Sequence, residues 1–445
     1  MYQDTIAAIS TPIGKGGIGI VRISGSDARK IVTKVFTHTL EDHRLVYGHI
    51  IDPKTNEVID EVLVSFMAAP HTYTREDIVE INCHGGPIPL QNILELVLHH
   101  GARLAQPGEF TLRAFLNGRL DLAQAESVMD IIQAKTQAGL RLAIQGLKGQ
   151  LSSRIKILRT ELIDCLAYFT VRIDFPDDEI ELREVTPQLT KIKNEIIDLI
   201  ASADHGIVYR QGIRTAIVGR PNVGKSSLLN RLSRENRAIV TSIPGTTRDV
   251  IEETVNLGGI PFLLNDTAGI TDTEDTLELL AIERSRNALN QADLILFLID
   301  NSEPVTATDR KIAAILRDKT VLMIANKADL PAQADLQEFP WETIVISSLT
   351  GAGLNDLENR LVAIALGGQI HSSDTLLVSN PRHKDALQKA AENLDKALQD
   401  ITANMADDFI TIDLTAAINA LDEITGGSVQ EDLLENIFSQ FCIGK

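Results

Sequence analysis

The chain has 445 residues, is 44% hydrophobic and 23% charged, and carries a formal net charge of −19. That length exceeds a single core and predicts roughly two or three domains; the acidity excludes a long phosphate-gripping groove as the main function, because such grooves are basic. No apolar run approaches the ~18 residues of a membrane span, no basic leader with an apolar stretch opens the chain, and three widely spaced cysteines, Cys83, Cys165 and Cys442, predict reduced thiols of a cytoplasmic protein rather than a disulfide frame or zinc site.

Residues 1–118 mix both periodicities. Residues 19–24 and 62–66 alternate with period two and predict strands, and residues 91–100 predict a short helix. This is an α/β region of its own. Within it, residues 14–19 (GKGGIG) match GxGxxG, but they run into a strand instead of opening a helix, so a dinucleotide site is rejected. From Leu120 to Asp204 the pattern is helical, with breaks at Pro176 and Pro187 around a solvated acidic turn at 177–179. From Arg214 onward, apolar runs at 215–218, 262–264, 294–299, 321–325 and 344–346 alternate with helical segments, the mark of a mainly parallel sheet covered on both faces. After Gly367 and Gly368 the chain is helical again. A tail of roughly 75 residues is marginal as an independent core. It is expected to pack on the helices of 120–204, making the parallel-sheet unit an insertion. The predicted units are 1–118, 119–211, 212–367 and 368–445, a multidomain α/β plus all-α protein.

Residues 219–226 (GRPNVGKS) fit the phosphate-binding loop GxxxxGK[ST], after a strand and before a helix-compatible run. The backbone of Asn222, Val223, Gly224 and Ser227 is expected to cradle phosphates, Lys225 to reach the β- and γ-phosphates, and Ser226 to ligate Mg²⁺. Asp266, Thr267, Ala268 and Gly269 follow the next strand, where the Asp supports magnesium through water and the Gly N–H senses the γ-phosphate. Asn326, Lys327, Ala328 and Asp329 follow another. The Asp329 carboxylate accepts from guanine N1–H and N2–H₂, which adenine does not offer, so the unit selects GTP over ATP. Ser347 and Ser348 stand where GTPases usually carry Ser-Ala-Lys.

Residues 241–249 form the expected switch loop, with Thr241, Ser242, Ile243, Pro244, Gly245, Thr246 and Thr247 near the nucleotide. Thr247 is assigned to Mg²⁺. Asn222, with Thr241, Ile243 and Thr246, offers oxygens for a K⁺ ion that would play the electrostatic part of an arginine finger. Ile270 occupies the place of the usual water-orienting Gln, and an aliphatic side chain cannot orient water. Asp272, Glu274, Asp275, Glu278 and Glu283 are the nearby candidates.

With these elements the chain closely resembles the MnmE (TrmE) family of tRNA-modification GTPases, over essentially its whole length. The resemblance is carried by residues 16–25 (GGIGIVRISG), 83–86 (CHGG), 107–110 (PGEF), 114–117 (AFLN), 120–126 (LDLAQAE), 173–176 (IDFP) and the terminal 441–445 (FCIGK). It implies an N-terminal domain similar to folate-binding enzymes that forms a homodimer around a tetrahydrofolate one-carbon donor, in its 5-formyl or 5,10-methylene form. It implies a heterotetramer with the FAD-dependent MnmG (GidA) protein, the FAD lying on that partner, and modification of C5 of the wobble uridine of certain tRNAs. GTP hydrolysis would be potassium-activated, with Glu278 as the catalytic group. Folate contacts map onto Arg22, Glu80, Arg119 and Lys445, with arginine at 119 where the family pattern has lysine. Cys442 lies either in this chemistry or in simple packing.

A rival function is a GTP-switched RNA or ribosome-assembly factor. Such proteins usually append an RNA-binding module such as a KH domain, or a second GTPase unit, whereas this tail is helical and acidic and the phosphate loop occurs once. A membrane-surface GTPase would need a basic amphipathic helix, which the sequence lacks.

Overall fold

The computed structural model describes residues 4–175, 183–235, 253–266, 289–368, 378–428 and 431–445. Its first sheet is built from β1 (Ile6–Ile9), β2 (Gly16–Ser24), β3 (Arg44–Ile51), β4 (Val58–Met67), β5 (Ile78–Gly85) and β6 (Arg103–Leu104), in the order β3-β4-β5-β2-β1-β6. All neighbours are antiparallel except β1 and β6. Alternate residues such as Val21, Ile23, Val64, Val79 and Ile81 face one way and are sealed by α1 (Ala28–Thr33) and α2 (Pro87–His99) through Ile31, Ile93 and Val97. The expected strands are longer than their apolar cores, and the helix at 91–100 begins earlier, at Pro87, whose ring suits a first turn. Next comes α3 (Glu109–Leu116).

The helical part comprises α4 (Leu122–Gln133), α5 (Gln137–Leu147), α6 (Gln150–Asp174) and α7 (Thr186–Gln211). Asp121 and Gln124 make a reciprocal capping box at the start of α4. Pro187, expected as a break, sits in the first turn of α7 and so marks the start of a 26-residue helix. The chain returns to this layer as α11 (Pro381–Thr402) and α12 (Asp407–Thr425), after which α13 (Glu431–Ser439) follows. Leu158 and Leu162 of α6, Ile192 and Ile196 of α7, Leu387 and Leu394 of α11 and Leu414 of α12 share one core. The tail therefore packs on the earlier helices; α13 does so apart from the main core, its Phe438 joining Phe441, Leu122 and Met129 in a smaller cluster against α3 and α4. No helix among the described residues is long and apolar enough to cross a membrane.

Between the two helical segments lies a second sheet, β7 (Ile213–Val218), β8 (Glu253–Leu257), β9 (Ile260–Asp266), β10 (Leu294–Asp300), β11 (Val321–Asn326) and β12 (Thr343–Val345), ordered β12-β11-β10-β7-β9-β8. It is parallel except for β8, an antiparallel edge strand that the apolar runs did not announce. Helices α8 (Lys225–Glu235), α9 (Ala307–Ile315) and α10 (Leu354–Ala365) accompany it. Every residue of β10 is buried, as expected of a central strand covered on both faces.

One buried ionic cluster joins the helical segments. Glu126 of α4, 7% exposed, accepts from Asn380 Nδ2 at 3.0 Å, Arg382 Nε at 2.9 Å and Nη2 at 2.7 Å, and contacts His383 Nε2 at 2.7 Å. Burial alone would raise its carboxyl; hydrogen bonds and charge from His383 and Arg382 outweigh this and hold it at about 2. Glu126→Ala leaves the buried His383 and the partly buried Arg382 without their anion and is expected to cost about 3 kcal/mol, measured as a lowered urea midpoint of the helical transition at pH 7. A carboxyl depressed in the folded state stabilises above its ordinary value of 4.5 and loses that contribution as pH falls toward about 2. The difference between wild type and variant is therefore expected to shrink across that window.

Candidate functional site

The first cluster lies at the C-terminal edge of the second sheet, where open α/β folds bind ligands. β7 ends at Val218 and the chain turns through residues 219–224 into α8. Asn222 takes a left-handed φ of 65°, which Asn tolerates better than most residues. Gly224 has φ 102°, and a Cβ there would lie 2.2 Å from Asn326 Nδ2, so both conformation and space require glycine. Lys225 Nζ donates to the carbonyls of Gly219 at 2.8 Å and Arg220 at 2.9 Å, so the loop curls around its own ammonium. Ser226 and Ser227 follow in the first turn of α8, both exposed.

Asn326, almost fully buried at the end of β11, is the hub of the neighbouring loops. Its Nδ2 donates to the Val223 carbonyl at 2.8 Å. Its Oδ1 accepts from the Ser348 N–H at 3.0 Å and the Ser348 hydroxyl at 2.9 Å. Serine in place of the usual alanine thus adds a hydrogen bond. The Ser347 hydroxyl donates to Asp329, and the Ala328 N–H donates to the Ile346 carbonyl at 3.0 Å. Lys327, at φ 68°, places Nζ 2.6 Å from Asp300 Oδ2. Burial pushes the Asp300 carboxyl up, but hydrogen bonds from Lys327 and Ser302 more than offset it and keep it below the ordinary carboxylate value.

Gly224, Ser227, Asn326, Lys327, Asp329 and Ser348 all line one cavity of about 820 Å³, within the range of small-molecule sites. Asn230, Arg231 and Arg234 of α8 line it too and were missed from the sequence. Their spacing from Ser227, three, four and seven residues, is the signal that puts them on one helix face. Asp300 was also missed; the cue is a carboxylate that ends a fully apolar strand. Asp266 closes β9 with its backbone opposite Ile217. Thr241, Ser242, Ile243, Pro244, Gly245, Thr246, Thr247, Thr267, Ala268, Gly269 and Glu278 lie outside the described residues. Among the described residues no cluster of His, Cys, Asp or Glu is arranged to hold a metal.

The second cluster forms on the first sheet. Register sets Arg22 of β2 opposite Glu80 of β5, and Arg22 Nε donates to Glu80 Oε1 at 2.8 Å. The chain's last residues lie beside this pair: Gly444 O accepts from Arg22 Nη1 at 3.2 Å and from the Ser10 hydroxyl at 3.1 Å. Gly444 has φ 93°, and a Cβ there would be 2.4 Å from Ile9 O, so the tail fits against β1 only with glycine. Lys445 is half-buried; burial, then the Arg22 charge, lowers its ammonium below the ordinary lysine value. Arg119 lies 4.8 Å from the centre of the Tyr73 ring, its Nη1 3.3 Å from the Tyr73 carbonyl, and the Tyr73 hydroxyl meets Thr111 at 2.9 Å. The guanidinium of Arg119 thus lies over an aromatic ring, a cation–π contact. Cys442 is exposed, so core packing belongs to its neighbour Phe441 instead.

Asp329→Asn replaces an acceptor by a donor in the loop that the sequence motif assigns to guanine. It is expected to weaken GTP binding about a hundredfold and to shift preference toward xanthosine triphosphate. Competition between the two nucleotides for the purified variant checks this, and unchanged GTP preference would misplace the base.

Comparison with known proteins gives the family. Residues 122–442 match the family model of the MnmE helical domain, and residues 5–119 match that of the GTP-binding protein TrmE N-terminus. The tRNA modification GTPase MnmE of Alkaliphilus metalliredigens (strain QYMF) is 50% identical over 458 residues, covering 100% of this chain and 99% of that one. The protein of the same name from Latilactobacillus sakei subsp. sakei (strain 23K) is 49% identical, with 99% and 98% covered. That of Geobacillus thermodenitrificans (strain NG80-2) is 47% identical, with 99% of each covered. A GxxxxGK[ST] loop, the Asn326-centred loop pair and the Arg22–Glu80 pair beside Gly444 thus occur together in a sequence aligned throughout with these relatives, and the chain belongs to the MnmE (TrmE) family of tRNA modification GTPases.

Proposed function

We propose that this protein hydrolyses GTP to drive tRNA modification. With an FAD-dependent MnmG (GidA) partner, it adds an aminomethyl or carboxymethylaminomethyl group to C5 of wobble uridine 34, using the one-carbon unit of a tetrahydrofolate derivative. The working form is a homodimer that joins MnmG in a heterotetramer. Its units are the folate-binding-like residues 1–118, the helical 119–211 and 368–445, and the Ras-like GTPase 212–367. The observation that carries this reading is the pairing, in one chain, of a guanine-type loop set around Asn326 with a charged site around Arg22 and Glu80. Neither an isolated GTP switch nor an isolated folate enzyme needs both.

Each residue has a defined task in this reading. Asp329 fixes the base, held in place by Ser347. Lys225, now bound to two loop carbonyls, turns to the β- and γ-phosphates. Oxygens of Ser226 and Thr247 suit Mg²⁺, and those of Asn222, Thr241, Ile243 and Thr246 suit K⁺; bound there, the cations supply positive charge to the phosphates. Glu278 orients the attacking water through a second water. At the other site, Glu80 accepts from the donor edge of a pterin, and Arg22, Arg119 and Lys445 face the glutamyl carboxylates.

Hydrolysis is expected to run faster in KCl than in NaCl at equal concentration, a difference that Asn222→Ala abolishes. Equal rates in the two salts for the wild type would overturn the cation assignment. Glu278→Ala is expected to keep GTP affinity and lose about 10²-fold in turnover, and full turnover would remove Glu278 from the mechanism. Mass spectrometry of tRNA nucleosides from cells lacking the protein tests the whole reading: unmodified uridine at position 34 is expected, and an unchanged nucleoside profile would refute it.

A further inference from the structure

The hairpin of β8 and β9 spans the second sheet from the edge that carries the 219–226 loop to the helical layer. Along the chain, residues 250–252 alone separate β8 from the expected switch loop of 241–249, and β9 ends at Asp266, which opens the 266–269 motif. These are the two segments that the GTP reading makes sensitive to the γ-phosphate. β9 runs parallel to β7, with Asp266 opposite Ile217 and Phe262 opposite Ile213. Asp266 therefore lies at the edge where β7 leaves for the 219–226 loop. The turn of the hairpin lies at the other edge, about 20 Å away at ~3.3 Å per residue.

That turn is a two-residue link between the paired Leu257 and Ile260. Gly258 and Gly259 hold φ 57° and 90°, the left-handed pair that a tight hairpin needs, and the Gly259 N–H donates to Asn256 Oδ1 at 3.0 Å. Three helices close on it. A Cβ on Gly258 would lie 2.8 Å from Val362 Cγ2 of α10, and one on Gly259 would lie 3.1 Å from Ala138 Cβ of α5 and 3.6 Å from Tyr209 Cε1 of α7. Val208 and Tyr209 also pack on the core that holds Leu257 and Ile260. A Cβ on Gly212 would lie 2.1 Å from the Pro261 carbonyl oxygen, so the chain enters β7 with its backbone against β9. Next to Tyr209, Arg210 Nε donates to Asp130 of α4 at 2.6 Å. Atoms packed this closely pass a displacement on instead of absorbing it.

From these contacts we infer that the turn at Gly258 and Gly259 is the joint through which the nucleotide state acts on the helical layer. Tyr209 is the positioning residue that passes a shift of the hairpin to α5 and, through Arg210, to α4. The two strands are paired from Glu253 and Leu264 to Leu257 and Ile260, so they move as one body, and β8, at the sheet's edge, leaves that body one side free of the sheet. This inference rests on the GTP reading above.

The test is hydrogen exchange of the full-length protein, read by mass spectrometry, with Mg²⁺ and either GDP or the GTP analogue GDPNP. In the wild type, exchange in α8, in α5 and at the end of α7 is expected to differ between the two nucleotides. In Tyr209→Ala the difference in α8 is expected to remain and that in α5 to be lost. Ala138→Leu tests the same joint without removing core volume, because Ala138 is partly exposed and its added carbons press on Gly259. Coupling between sites is reciprocal, so this variant is expected to change the ratio of GDPNP to GDP affinity by about fivefold, the lower range of such couplings. Identical exchange of wild-type α5 with both nucleotides while α8 responds would overturn the inference and leave the turn as an anchor for the inserted sheet. A full α5 response in Tyr209→Ala, or an unchanged affinity ratio in Ala138→Leu, would overturn it too. No response of α8 to either nucleotide would refute the GTP reading and this inference with it.

Discussion

The fold depends on the anion at Glu126. The helical layer is made of two chain segments separated by an entire inserted sheet, and they must find one register. Apolar contacts between α6, α7, α11 and α12 supply most of the driving force, but apolar contacts tolerate sliding. A carboxylate that accepts from Asn380 and Arg382 and meets His383 does not, because any other register strands buried charge. Arg382 extends the constraint by donating to the carbonyls of Glu423 and Ile424, at the end of α12. Arg210 does the same on the outgoing side: its Nε donates to Asp130 of α4 at 2.6 Å, just before the chain enters β7. Both passages between the helical layer and the sheet are thus tied to one helix.

That helix reaches the other site as well. Leu122 and Met129 of α4 pack on Phe438 and Phe441, and the residues that follow Phe441 run to Arg22. The position of Lys445 is therefore set by the helical layer, although the groups it faces belong to the first sheet. A similar relay operates at the cavity beside α8. Asn326 contributes no charge, yet it fixes the distance between the 219–226 loop and the 347–349 loop by bonding Val223 on one side and Ser348 on the other. Lys327 pairs with Asp300, while Asp329 accepts from the Ser347 hydroxyl.

Legibility followed the range of the physics. Strands β7, β9, β10 and β11 show in the sequence because strands covered on both faces are continuous apolar runs; β12 shows by its apolar pair Ile344 and Val345 although it is an edge strand. Strands β3, β5 and β8 do not, because half-open or edge strands mix polar residues into the pattern, as Glu80 and Asn82 do in β5. The phosphate loop was legible because its glycines, Asn222 and Lys225 are neighbours in the chain and the loop's conformation is local. Asp300, Arg231 and Arg234 were not, since their roles arise from where a strand end and a helix face point once packed. Cys442 was ambiguous for the same reason: a thiol near an apolar residue faces either way, and here Phe441 takes the core and Cys442 the surface.

By itself the sequence determined the classes of element, the phosphate and guanine motifs, and the family resemblance, all set by residues close along the chain or by fixed periods. The tertiary structure alone decided that Arg22 meets Glu80 and Gly444, and that Glu126 bonds residues far along the chain from it. The physical reason is that a side chain's hydrogen bonds are limited to a few ångströms, while its partners lie tens to hundreds of residues away. Which groups arrive within that reach is settled only when sheets and helices pack.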